Sequence, residues 1–211
     1  MSGPSQTERV RSLRPWFLMP AMILIWLVGV VGVNTGCQGA LIINSGSMPD
    51  DQAILESIKG RTDHAAGNEY TNAVITRALI EHRDRTLPLS VGQALLSLLL
   101  VSASAMILSG RPGARTFALQ VFSANAVFYV VDYVLTQDFR DQWVRARSQL
   151  DDAAVLGLAP ISLYVWVNRV GLAFHLMVSA GGILTLFSKR TLAYLDASER
   201  AEQRREREDE P

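Results

Sequence analysis

Residues 16–33 read WFLMPAMILIWLVGVVGV, eighteen positions without a charge. As a helix the run rises about 27 Å, close to the thickness of a bilayer's hydrocarbon core. Pro20 falls in its first turns, where a missing backbone donor costs least, and Arg9, Arg11 and Arg14 stand before it. Three further runs of this kind follow at 87–109, 116–137 and 161–187, and within all four the only Asp, Glu, Lys or Arg residues are Asp132 and Arg169. Apolar stretches of such length with so little charge are expected to span a membrane. The 211 residues are 49% hydrophobic and 19% charged, which argues against disorder. Zero formal net charge, with no basic block interleaved with aromatic residues, excludes nucleic acid as an expected partner.

The expected fold is therefore all-α: a polytopic membrane protein with four transmembrane helices in a bundle, and a helical extracytoplasmic cap formed by two outer loops. The expected boundaries are an N-terminal tail at 1–15, spans at 16–34, 87–109, 116–137 and 161–188, outer loops at 35–86 and 138–160, an inner link at 110–115 and a charged tail at 189–211. Pro88 is expected near the first helical position of the second span, and Pro160 just ahead of the fourth. Lys and Arg beside the spans set direction, because they resist translocation. Arg9, Arg11 and Arg14, then Arg111 and Arg115, then Lys189 and Arg190 all fall on one side of a four-span chain. Both termini are expected in the cytoplasm. Arginine far outnumbers lysine, which fits a GC-rich bacterial genome and a bacterial inner membrane.

A cleaved signal peptide would have a shorter apolar stretch and an A-x-A site, and a lipoprotein would have an aliphatic residue where Asn34 stands, three before Cys37. An uncleaved anchor is expected instead. Cys37 is the sole cysteine, so an intramolecular disulfide and a cysteine-based metal cluster are excluded.

The first outer loop is too long for a bare connection and should hold helices, one opening at Ser47 and closing at Gly60, another from about Glu69 to Arg85. In the second loop Phe139, Trp143, Ala146 and Leu150 recur at spacings of four, three and four, an apolar stripe that requires a covering surface. Packing on the first loop, lying among headgroups, or meeting another protein would each cover it, and Phe139, Trp143 and Leu150 are the candidate partner surface. The C-terminal tail ends in ERAEQRREREDEP, with Asp196 and Arg200, Arg204 and Glu208, and Arg205 and Asp209 four apart. A solvated helix that frays is expected there.

Polar residues inside the spans come closest to chemistry. Asp132 and Arg169 are expected to pair, since a long arginine reaches outward and an unpaired charge in hydrocarbon is costly. Tyr164, Asn168, Gly171, His175, Ser179 and Gly182 line one face of the fourth span, while Gln93 and Ser97 on the second and Asn125 and Tyr129 on the third face similarly. Two readings are open. Small and polar residues hold helices together by close contact and hydrogen bonds, or Gln93, Ser97, Asn125, Tyr129, Asn168 and His175 line a polar path. Gly32 and Gly36 form a small-xxx-small pair that favours helix association.

No CxxC, HExxH, GxSxG, P-loop or GxGxxG pattern occurs, so no catalytic residue and no cofactor is assigned. His64 and His82 with Glu69, Glu81 and Asp84 match no standard metal spacing, and no metal is assigned. The order of four spans, a long first outer loop, a short inner link and inward termini resembles the claudin-type tetraspan plan. The cysteines and the W-G-L-W signature of that group's first loop are absent here, and no residue role is carried over. The expected function is that of a non-enzymatic integral membrane protein with an interaction, scaffolding or assembly role. The alternative is a small oligomeric channel or transporter using a polar path between spans two, three and four. The partners expected are the lipid bilayer and a membrane protein or second copy of the chain.

Overall fold

The structure is a computed structural model that describes residues 13–46, 50, 52, 56, 64–148 and 161–209. Among these every regular element is a helix: α1 (Leu18–Ser45), α2 (His64–Glu81), α3 (Arg83–Ser109), α4 (Ala114–Leu135), α5 (Gln137–Ser148), α6 (Ile161–Phe187) and α7 (Lys189–Asp209). Four of them, α1, α3, α4 and α6, are long and apolar enough to cross a membrane. Of the helix expected between Ser47 and Gly60, only Asp50, Gln52 and Glu56 are described: Gln52 and Glu56 are helical, the Gln52 amide donates to Asp50 Oδ1 at 3.1 Å, and the remainder lies outside the described residues.

Several helix limits differ from the sequence reading for identifiable reasons. Helix α1 continues through Asn34, Thr35 and Gln38 to Ser45, because none of these residues breaks a helix once it is propagating. At about 42 Å it outreaches the hydrocarbon core. The expected second loop helix divides at His82: α2 ends at Glu81, and Arg85 belongs to α3. The buried Thr86 hydroxyl makes this corner by donating to the carbonyls of Leu79 at 2.7 Å and His82 at 3.0 Å, replacing ladder bonds lost at the turn. Since α3 opens at Arg83, Pro88 is the sixth helical residue and not the first.

The chain divides into two compact units. The first comprises Met1–Val33, Leu95–Phe128 and His175–Pro211, and the second Asn34–Ala94 and Tyr129–Phe174.

In the first unit each helix contributes a stripe at three- and four-residue spacing: Leu18, Met22 and Ile25 from α1, Leu100, Ala103 and Ile107 from α3, and Ala114, Ala118, Val121 and Phe122 from α4. Leu186 of α6 and Tyr194 and Leu195 of α7 complete this core. Small residues let the helices approach. A Cβ on Gly182 would sit 2.7 Å from Ile25 Cδ1 and 2.9 Å from the Phe122 ring, and one on Gly29 would sit 2.9 Å from the Ser97 carbonyl oxygen. The turn after α3 is a Schellman closure. Gly110, at φ 69°, donates to Ile107, and the Arg111 amide donates to Met106. The free Leu108 carbonyl accepts from Arg14 Nη2 at 2.6 Å and from the Tyr194 hydroxyl at 3.3 Å. Ahead of the solvated helix expected after Leu195, the first turns of α7 bury Thr191, Tyr194 and Leu195. The apolar residues of KRTLAYL dock before the charge-dense part begins. Beyond them, Arg200 Nε donates to the Asp196 backbone carbonyl at 3.2 Å, a contact on the helix's own backbone.

In the second unit α1 meets α3 through two glycines. A Cβ on Gly36 would stand 2.7 Å from both the Ser90 carbonyl oxygen and the Ala94 amide nitrogen, and one on Gly39 would stand 2.8 Å from Ser90 Oγ. The intervening Cys37 is exposed. Helices α2 and α5 pack on each other, so the two loop segments supply one another's contacts.

Candidate functional site

In the first unit several polar side chains of the apolar helices bond between helices or to their own helix. Asn125 Nδ2 on α4 donates to Ser179 Oγ on α6 at 3.3 Å, and both residues are buried. The fully buried Ser104 hydroxyl donates to the Leu100 carbonyl one turn back, and Ser97 is buried against the α1 approach at Gly29. His175 is half-buried. Interhelical hydrogen bonds in lipid average about 0.6 kcal/mol. A double-mutant cycle on Asn125→Ala and Ser179→Ala, followed by unfolding in detergent, is therefore expected to give a coupling of roughly 0.5–1.5 kcal/mol while each variant still folds.

In the second unit Gln93 Nε2 donates to Thr35 Oγ1 on α1 at 3.0 Å and also hydrogen-bonds Tyr129 on α4. Asp132 has Tyr129 and Arg140 as its electrostatic neighbours. Arg140, on the first turn of α5, closes the end of α4: its guanidinium lies 3.9 Å from the Tyr133 ring centroid, donates to Thr136 Oγ1 at 2.6 Å and reaches the Tyr133 carbonyl. None of the ion pairs among the described residues joins Asp132 to Arg169. Arg169 is exposed on α6 beside exposed Trp166, Val167 and Val170, and Asn168 is exposed next to it. Sequence reading missed Arg140 as the neighbour of Asp132, although eight residues across one helix break place the two within reach.

Helices α2 and α5 meet through a polar cluster. Glu81 accepts from Arg77 Nε and from Gln142 Nε2, both at 2.6 Å, and Gln142 Oε1 lies 3.1 Å from His82 Nε2. Arg85 and Asp138 form an exposed ion pair at 3.4 Å, a type that contributes little. Phe139 is half-buried on α5, the backbone alone describes Trp143, and Leu150 lies outside the described residues. Among the described residues no group of three or more His, Cys, Asp and Glu side chains is placed to share a metal ion.

Hydrogen bonds from Arg77 and then Gln142 hold the Glu81 carboxyl below its ordinary value of 4.5. With the folded-state pKa lowered, this contribution to stability is fully present above the ordinary value and is lost as pH falls through the lowered one. Acidification is expected to shift the Gln142 side-chain amide resonances across that window in isotope-labelled protein. Glu81→Gln is expected to remove the pH dependence.

No family model matches the chain, and no curated protein or solved structure matches it either.

Proposed function

We propose that the chain is a non-enzymatic protein of a bacterial inner membrane, with both termini cytoplasmic and α2 and α5 forming an outer cap, and that it acts by interaction or assembly with other membrane proteins. The observation that carries this reading is the engagement of the span amides: Asn125 is bonded to Ser179 and Gln93 to Thr35, so side chains that would line a conduit act as bonds between helices. The outward surface of α6 supports it too. Leu163, Trp166, Val167, Val170, Met177 and Leu184 are exposed there with Arg169 among them. A cation on a lipid-facing surface favours a polar neighbour from another chain or the headgroup layer.

Extraction in a mild detergent, sizing, and mass spectrometry of whatever accompanies the protein test the proposal. The expected result is a stable complex with a second membrane protein or with further copies, which Arg169→Leu dissociates. A strictly monomeric, unaccompanied protein would contradict it. Ion or solute flux in proteoliposomes that Asp132→Asn and His175→Ala abolish would replace it with the channel reading.

A further inference from the structure

Helices α4 and α7 both begin in the first unit, and neither has an acidic residue in its first turn. Helix starts carry partial positive charge and unpaired amides that acids commonly neutralise. Here the nearby side chains are cations instead: Arg115 is the second residue of α4, and Lys189 and Arg190 open α7. The two starts are neighbours, because the Arg115 guanidinium lies 5.4 Å from the ring centroid of Phe187, two residues before α7. An arginine at a helix start opposes the macrodipole, and no ion pair among the described residues compensates Arg115.

A second observation is independent of charge. The Thr191 side chain, one turn beyond Phe187, is fully buried, yet its hydroxyl has no hydrogen-bond partner. In a helix such a hydroxyl ordinarily bonds to the carbonyl one turn back. Arg115 Nε is likewise buried without an acceptor, and so is Nε of Arg14, whose guanidinium lies 5.5 Å from the Tyr194 ring centroid one turn further along α7. Three buried donor atoms thus have no acceptor: the Thr191 hydroxyl, and Nε of the two arginines that lie over Phe187 and Tyr194, which stand before and after Thr191 in the chain.

We propose that this place binds a phosphate group, with Arg115 and the Thr191 hydroxyl as its principal donors and Arg14 flanking it. Arg115 and Arg14 are half-buried residues with Nε of each buried, and Arg14 Nη2 is already bonded to the Leu108 carbonyl and the Tyr194 hydroxyl. Small rotations of their side chains aim the unsatisfied donors at an incoming oxygen. Phosphate geometry suits a guanidinium fork together with helix amides. The chemistry is shared by an anionic phospholipid headgroup and by a soluble phosphate. The inference rests on α1, α3, α4 and α6 lying in a bilayer, and not on the assembly role.

The test uses the full chain in a neutral detergent, with native mass spectrometry and thermal unfolding in separate additions of phosphatidylglycerol, phosphatidylcholine and inorganic phosphate. Phosphatidylglycerol is expected to remain bound preferentially over phosphatidylcholine and to raise the melting temperature. Arg115→Gln and Thr191→Val are each expected to reduce its affinity roughly tenfold, the loss of one charge-assisted hydrogen bond. Inorganic phosphate that stabilises the protein and competes with phosphatidylglycerol would assign the site to a soluble phosphate. No competition assigns it to the lipid. Arg115→Lys retains charge and serves if Arg115→Gln does not fold. Equal phosphatidylglycerol binding by wild type, Thr191→Val and the Arg115 variant overturns the proposal. So does a Thr191→Val protein stabilised equally with and without lipid, since its hydroxyl would then be only an unsatisfied group. A chain that stays dissolved as a monomer without detergent would instead remove the membrane reading.

Discussion

Gly36→Ala is expected to lower the stability of the detergent-solubilised protein by roughly 1–3 kcal/mol, the range for overfilling a packed contact, and Gly36→Leu by more. The added methyl would meet the Ser90 carbonyl oxygen and the Ala94 amide nitrogen, each at 2.7 Å. Both are backbone atoms of a regular helix and cannot rotate away, so α1 and α3 must separate. Separation would also stretch the Gln93 to Thr35 hydrogen bond in the same unit. Gly171→Ala is the control, because a Cβ there has nothing within 4 Å. It should be neutral or slightly stabilising, since alanine has the higher helix propensity. Unfolding by denaturant in mixed micelles, read by circular dichroism, measures all three variants. Equal stability of Gly36→Ala and Gly171→Ala would show that the α1 to α3 approach is looser than described.

Gly110→Ala should have the second large effect, through two separable causes. At φ 69° a side chain is strained by roughly 1–2 kcal/mol, and the new Cβ would lie 2.6 Å from Ser198 Oγ and 2.8 Å from Ser198 Cβ. Gly113 provides the comparison: its φ is 71°, but nothing lies within 4 Å of its Cβ position. Gly113→Ala should therefore show the backbone strain alone, and the excess cost of Gly110→Ala reports the docking of α7. Adding Ser198→Gly to Gly110→Ala should recover that excess and leave the strain. If the two alanine variants lose equal stability, α7 does not rest on this turn in solution.

Much of the architecture could be read from the chain because uncharged runs of membrane length leave few alternatives. Residues 16–33 alone indicate a span, and the four apolar helices of the structure overlap the four runs. Helix ends were less legible. Asn34, Thr35 and Gln38 look like loop residues, yet a helix that is already propagating includes them at little cost. Thr86 turns the corner at His82 through a contact seven residues back, which no local pattern encodes. The docking of α7 was hidden by the density of charge after Leu195, although Tyr194 and Leu195 carried the signal.

For the candidate site, residue types were readable and pairings were not. Gln93, Ser97, Asn125, Tyr129 and His175 stand out in any hydropathy profile, but Thr35 and Ser179 become identifiable as partners only once the helices are placed. The glycines of α1 at 29, 32, 36 and 39 recur at three, four and three, a fuller version of the pair at Gly32 and Gly36. Gly29 and Gly36 touch α3 of the same chain, so these small residues act within one molecule. Arg115 stood out in the sequence only as a flanking cation and Thr191 not at all, because an unmet donor is a property of surroundings and not of residue type.

The exposed Cys37, one residue past the Gly36 crossing and the sole thiol of the chain, gives the molecule a ready-made handle. A membrane-impermeant maleimide can attach there and nowhere else, so an unaltered protein can receive a single fluorophore or spin label without engineering. Its labelling in intact cells, compared with lysed ones, reads the sidedness of that end of α1 directly.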